Sequence, residues 1–512
     1  MTTTSQPRRY RDDPSVLAVL RSPRLLTREA LAGLVVALAL IPEAISFSII
    51  AGVDPRVGLF SSFVMAVTIA FVGGRPAMIS AATGAVALVI APVMREHGFD
   101  YFIATVLLAG VLQIVLALLG VAKLMRFIPR SVMVGFVNAL AILVLIAQLP
   151  HLFGVPWLVY PLVAVGVAVI VLLPRLQRVV PSPLVAVVLL TAAVLVFGWS
   201  VPNVGDQGEL PRALPELFVP QVPLDLETLG IIGPTALAMA LVGLMESLLT
   251  AKLVDDITDT RSNKTRESWG QGVANLASGL FGGMGGCAVI GQTMINVKVS
   301  GARSRGSTFL AGVFVLVLVV ALGDVVALIP MAALVAVMIM VVVSTFDWHS
   351  IRPSTLRRMP VSETLVMVVT VVVVVATHNL AIGVIVGTVV AMVLFARRVA
   401  HFQSVTREVR PVDAGTADAG TADGGTAVHY TVEGELFFAS SNDLTTQFAY
   451  TDDPEHVVID LSRSHIWDAS TVAALDAIET KYARLGKRVE LHGLNAASAS
   501  MRERMSGQLG GD

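Results

Sequence analysis

Glu246 sits inside "LVGLMESLLTAK", residues 241–252, a run otherwise apolar enough for a membrane-buried helix. A carboxylate near the centre of a bilayer costs about 2.5–3.5 kcal/mol on insertion scales, so a partner or a task must offset it. Thr250 lies one helical turn further on and shares its face. A carboxylate and a hydroxyl so placed could coordinate a small cation or hand a proton to a bound anion. The structural alternative is a neutral Glu246 hydrogen-bonded to a neighbouring helix, and its distance from both ends of the span favours the functional reading. Glu43 is a second such acid, in "ALIPEAISFSIIAGV" with Ser46 and Ser48. Pro42 beside it removes a backbone donor and predicts a kink or break. A break exposes polar backbone, which a bilayer tolerates only beside protein or a wet cavity. Glu43 is then either paired near the kink or a further proton carrier, and the residues leave both open.

Two short apolar pieces could receive what these acids act on. "SAATGAVALVI" and "VIGQTMINVKV" each begin with small and hydroxyl residues at the expected helix start: Thr83 and Gly84 in one, Gly291, Gln292 and Thr293 in the other. Unpaired N–H groups and the positive end of the helix dipole make such starts anion-binding. Two half-helices meeting at the midplane would focus positive potential without any Lys or Arg, a recurrent arrangement in transporters built from inverted repeats. The alternative is two short buried helices with ordinary caps.

The positioning elements follow from hydropathy. Of 512 residues 55% are hydrophobic and 14% charged, and runs such as "LVMVVTVVVVVA" offer water no polar face, so the chain reads as a polytopic membrane protein. The apolar stretches recur to about residue 398, so the first is not a removed signal peptide. At about 20 residues per span, Pro and Gly clusters divide it into about fourteen segments: roughly 30–48, 57–73, 80–94, 101–121, 129–149, 156–174, 183–200, 230–251, 268–283, 290–299, 307–328, 330–346, 361–377 and 379–396. The candidate half-helices are then third and tenth and the acid-bearing spans first and eighth, both pairs offset by seven. Arg8, Arg9, Arg11, Arg21, Arg24 and Arg28 place the N-terminus in the cytoplasm by the positive-inside rule. Every second loop is basic as well, and the outer loop 201–229 is acidic, so both termini are expected in the cytoplasm, at a plasma or inner membrane.

Nothing in the chain suggests an enzyme or a nucleic-acid binder: there is no HExxH, no paired intramembrane Asp, and no Ser/His pair on facing spans. The single Cys287 excludes an intrachain disulfide. No metal cluster or cofactor motif is present, and "GLFGGMGG" lacks the Lys of a phosphate loop and reads as a close-packing connection. Gln113, Asn138, Gln148, Asn275 and His378 read as interhelical hydrogen-bonding residues. From about residue 400 the character changes. "PVDAGTADAGTADGGTA" is a low-complexity linker, and alternating strand-like and helix-like patterns after it predict a small soluble α/β domain. The expected division is 1–29 cytoplasmic segment, 30–398 transport domain, 399–426 linker and 427–507 soluble domain.

"IPEAISFSIIAGVDPRVGLFSS", "GLMESLLTAKLVDDITDTRSNKTRESWGQGVANLASGLFGGMGG" and "TMINVKVSGARSRGS" resemble the signature segments of the SulP family of anion transporters, the group that includes pendrin and prestin. "VVIDLSRSHIWDASTVAALDAIETKYARLGKRVELHGL" resembles a STAS domain. The resemblance spans nearly the whole chain in the family's order. It implies an all-α seven-plus-seven inverted repeat with core and gate subdomains, elevator-like alternating access, and a homodimer with STAS contacts. It also implies a substrate site between the third and tenth helices, which maps onto Thr83, Gly84, Gln292, Thr293, Glu43 and Glu246. The arginine that many animal members carry in the tenth helix is Thr293 here, and the eighth-helix acid, typically Asp in sodium-coupled bicarbonate members, is Glu246. Both departures favour H+ over Na+ as the coupled ion. The small residues Ala81, Ala82, Gly84 and Gly291 leave room for a C4-dicarboxylate such as fumarate; a sodium-coupled bicarbonate or sulfate transporter and a STAS-linked membrane sensor are the alternatives. Resemblance to anti-sigma-factor antagonists makes Ser470 a possible phosphosite, with interaction as the plainer role of that domain.

Overall fold

The computed structural model describes residues 19–120, 128–176, 181–208, 214–223, 225–400, 404–411 and 426–507. Arg8, Arg9, Arg11, the basic residues Lys123, Arg126 and Arg178, the loop charges Glu209 and Arg212, and most of the low-complexity linker lie outside them. The chain divides into two compact units, residues 1–388 and 389–512.

Among the described residues, fourteen helices fall on the expected segments one for one: α1 (Pro23–Ala51), α2 (Pro55–Val72), α3 (Gly84–His97), α4 (Phe99–Leu118), α5 (Arg130–Gln148), α6 (Val159–Leu176), α7 (Ser182–Phe197), α8 (Leu226–Thr258), α9 (Lys264–Leu280), α10 (Ile290–Met294, continued by a wider turn over Ile295–Val299), α11 (Arg305–Ala327), α12 (Met331–Thr345), α13 (Val361–Thr377) and α14 (Leu380–Ala400). Proline opens α1 and α2, where its missing N–H costs nothing. Asp225, Asn263 and Ser304 cap α8, α9 and α11 with side-chain oxygens. Of the kink or break expected at Pro42, the break is not observed. α1 is continuous through it, and the Ser46 hydroxyl bonds the Pro42 carbonyl one turn back.

Packing repeats with the seven-helix offset. α4 lies against α8 and α9, and α11 lies against α1 and α2; α5 packs on α13 as α12 packs on α6. The membrane part is not purely helical: β1 (Ser80–Ala81) and β2 (Cys287–Ala288) form an antiparallel pair directly ahead of α3 and α10. Gly286 permits this crossing, since a Cβ there would lie 1.9 Å from the Ala81 carbonyl oxygen. Antiparallel strands send the helices that follow them in opposite directions, so the starts of α3 and α10 meet back to back.

The second unit contains a four-stranded sheet in the order β3 (Ser404–Pro411), β4 (Thr426–Leu436), β5 (His456–Ile466) and β6 (Arg488–His492), with β3 antiparallel to β4 and the others parallel. Helices α15 (Phe438–Leu444), α16 (Ala469–Arg484) and α17 (Ala496–Met505) complete it. β3 corrects the expected linker, because 404–411 is a full edge strand; the alternation in "SVTREVRP" is masked in the sequence by the low-complexity run that follows. Buried Asp453 is tied by Arg407 of β3 at 2.8 Å and by the hydroxyls of Tyr430 and Tyr482 at 2.7 and 2.5 Å. Burial and the bond to Asp453 push the Tyr482 hydroxyl far above the ordinary tyrosine range.

Candidate functional site

The starts of α3 and α10 open on one cavity of about 480 Å³. Its wall includes Glu43 and Phe47 of α1, Thr83, Gly84 and Ala85, Glu246 of α8, and Gly291 and Gln292 of α10. α5 closes the facing side with Phe136, Leu140 and Val144, and α12 with Val342, Ser344 and Thr345. Leu249, Met294 and Thr345 carry the cavity toward those ends of α8, α10 and α12 that lead into basic loops. Among the described residues, no Lys or Arg lines it.

The helix starts supply its donors. Ala87 N–H bonds the Thr83 carbonyl and Thr293 N–H the Val289 carbonyl, which begin the two helical ladders. The amides ahead of them, Gly84 and Ala85 on one side and Gly291 and Gln292 on the other, have no helical acceptor. Such amides favour an anion by about 0.3–2 kcal/mol per helix end.

Both acids are tied to the segment that holds α10, and Glu246 reaches the start of α3 through it. Glu43 of α1 is hydrogen-bonded by the Gln292 side chain of α10. Glu246 of α8 accepts the Cys287 thiol proton at 2.6 Å, and the same sulfur lies 3.1 Å from the Thr83 hydroxyl that caps α3. Cys287 is fully buried behind the wall. It was not singled out from sequence, where its only signal is its place directly ahead of the second half-helix.

Two expected residues take other places. The Thr250 hydroxyl donates to the Glu246 carbonyl at 2.7 Å and lies outside the cavity wall. Thr293 accepts from Ile79 N–H at 3.0 Å, bracing the strand that leads to β1, and also lies outside the wall. In the second unit Ser470 is exposed in the first turn of α16, where Asp468 caps the helix by accepting from Thr471 N–H at 3.1 Å. Asn275 donates to Gln113 at 2.8 Å and Asn138 to Ser350 at 2.9 Å, so these polar residues join helices and loops.

A helical membrane unit with crossed half-helices around a cation-free cavity, joined to an α/β domain, defines an anion-transporter class. Residues 26–370 match the Sulfate permease family and residues 421–506 the STAS domain. The chain belongs to the sulfate permease family: it is a multi-pass membrane anion transporter with a C-terminal STAS domain, and not an enzyme. It is 49% identical to "Putative sulfate transporter YbaR" of Bacillus subtilis (strain 168), over 94% of this chain and 97% of that one. The transmembrane domain of the cyanobacterial bicarbonate transporter BicA superposes with a TM-score of 0.60 at 25% identity, covering 72% of this chain and 98% of that one. Murine Solute Carrier 26 family member A9, in the inward-facing state, matches with a TM-score of 0.78 over 94% of this chain and 87% of that one; at 17% identity this concerns the fold alone.

Proposed function

We propose that the chain is a proton-coupled symporter of sulfate. The observation that carries this reading is the cavity itself: the starts of two opposed helices, no Lys or Arg among the described lining residues, and Glu43 and Glu246 in the wall. A divalent oxyanion offers several acceptors to those amides, and a proton taken up on Glu246 offsets part of its charge as it enters a low-dielectric site. The likeness to YbaR favours sulfate over the C4-dicarboxylate expected from the small residues alone. Proton coupling is favoured over sodium because Thr250 lies outside the cavity wall, so its hydroxyl does not join Glu246 in facing a bound cation. The substrate set is Thr83, Gly84, Gly291, Gln292 and Glu43, with Glu246 as the coupling residue and Thr293 as a brace. Elevator-like movement, a homodimer with STAS contacts and cytoplasmic termini belong to the same reading.

Bicarbonate is the second reading, favoured by the likeness to the BicA transmembrane domain. Uptake of radiolabelled sulfate into proteoliposomes under an inward proton gradient separates them, with fumarate, bicarbonate and chloride as competitors. Gradient-stimulated uptake competed by excess sulfate alone supports the first. Sulfate uptake no greater than in protein-free vesicles, with sodium-stimulated bicarbonate uptake, removes it.

A further inference from the structure

The donor inventory around Cys287 has a consequence for coupling. A thiol carries one proton and a threonine hydroxyl one, and an ionised carboxylate accepts only. With Glu246 charged, the Cys287 proton is committed to the carboxylate at 2.6 Å. The 3.1 Å contact between Cys287 Sγ and Thr83 Oγ1 then has one possible donor, the Thr83 hydroxyl. Thr83 Oγ1 also accepts from Val86 N–H at 3.5 Å, so its single proton faces sulfur and the cavity anion receives none.

We propose that Glu246, Cys287 and Thr83 form a reversible hydrogen-bond relay in which Cys287 is a positioning residue that makes the anion-binding donor of Thr83 conditional on the proton at Glu246. When a proton adds to Glu246, its new O–H donates to Cys287 Sγ. The thiol proton rotates to Thr83 Oγ1, and the Thr83 O–H rotates into the cavity to meet the anion. One proton has been added at Glu246, none has moved between residues, and no covalent bond other than the new O–H has changed. The inference rests on the reading of Glu246 as the proton carrier and adds how the empty and the loaded carrier differ. It ties proton and anion binding through three side chains, two of them on the cavity wall.

The ionisable surroundings of Glu246 are few. Glu43 of α1 shares the cavity wall and Cys287 of β2 stands behind it. On α8 the nearest charge is Lys252, about 9 Å further along at the rise of an α-helix. Asp255, with Arg75 and Lys264, and Glu267 of α9 lie beyond it. α3 and α4 contribute Arg95, Glu96, His97 and Asp100 around their junction, at the far end of α3 from Thr83.

Cys287 is the only cysteine in the chain, so the infrared S–H stretching band of the purified protein reports this one thiol. The relay predicts that the band of the wild type shifts with pH as the acceptor of the thiol changes from carboxylate to hydroxyl, and that it does not titrate in Glu246→Gln. For sulfate uptake, the apparent affinity of the wild type falls with rising pH by up to about tenfold per pH unit, the limit for one required proton. Cys287→Ala makes this profile shallower, leaving the direct charge effect of Glu246, because Thr83 is then free to donate at any pH; Cys287→Ser restores it, and Thr83→Val weakens sulfate binding at low pH. If Glu246→Gln keeps the wild-type pH profile, the proton-carrier reading fails. If Glu246→Gln loses the profile while Cys287→Ala keeps it and the S–H band stays fixed in the wild type, the carrier reading stands and the relay is overturned.

Discussion

Among the described residues of the membrane unit, four carboxylates, buried Glu29, Glu246 and Glu267 and half-buried Glu43, fall into two contrasting pairs. Glu29 and Glu267 sit near the basic ends of α1 and α9 and are fully buried. Glu267 accepts from the backbone N–H groups of Gly74 and Arg75 at 2.7 and 2.9 Å and from Gln271 at 2.8 Å. Glu29 accepts from the N–H groups of Arg303 and Ser304 and from the Ser304 hydroxyl, between 2.7 and 3.2 Å. Each therefore locks a loop from the other repeat, Glu29 through three donors of that loop and Glu267 through two, its third coming from Gln271 on its own helix. Glu43 and Glu246 have one side-chain donor apiece, an amide and a thiol, and face a cavity. A carboxylate that accepts from three donors is fixed in place by them, and losing it strands all three. One with a single donor beside a cavity can change its charge while stranding fewer partners, and on the proposed reading this difference separates braces from carriers.

This contrast can be broken most severely through coupling. Glu246→Gln keeps the fold and abolishes stimulation of uptake by a proton gradient, measured in proteoliposomes. Glu267→Ala strands three donors and lowers stability by about 3 kcal/mol or more, read as thermal unfolding of the detergent-solubilised protein, while the surviving fraction keeps the wild-type pH profile. A lost pH profile in that variant would erase the distinction between the pairs. Gly286→Ala drives a methyl into the Ala81 carbonyl and costs about 1–3 kcal/mol by unseating the β1–β2 crossing, so uptake falls together with thermal stability. Gly291→Ala is the mildest. Nothing lies within 4 Å of a Cβ there, so the fold is unchanged and the sulfate KM rises a few-fold through the narrowed cavity.

The helices and the cavity acids were legible in the sequence because bilayer thickness and the cost of buried charge act on local composition. Thr83, Gly84, Gly291 and Gln292 were readable for the same reason, as small and polar residues at the start of pieces too short to span. Thr250 and Thr293 show where local pattern fails: helical spacing places a hydroxyl on a face, yet its partner is whichever backbone group is nearest, so Thr250 donates to the Glu246 carbonyl and Thr293 accepts from the Ile79 amide. Cys287 was illegible because its partners are 41 and 204 positions away and only the two-residue β crossing brings them together. β3 was hidden by its low-complexity neighbour, and the helix through Pro42 stays continuous because tertiary packing overrides the local penalty.

The central claim is that Glu246 carries the proton that accompanies the anion. Its most direct measurement is the simultaneous record of proton and radiolabelled sulfate entry into proteoliposomes, for the wild type and for Glu246→Gln. The account predicts proton entry tied to sulfate entry in the wild type, and sulfate exchange without proton entry in the variant. A variant that still moves protons with sulfate at the wild-type ratio would contradict it.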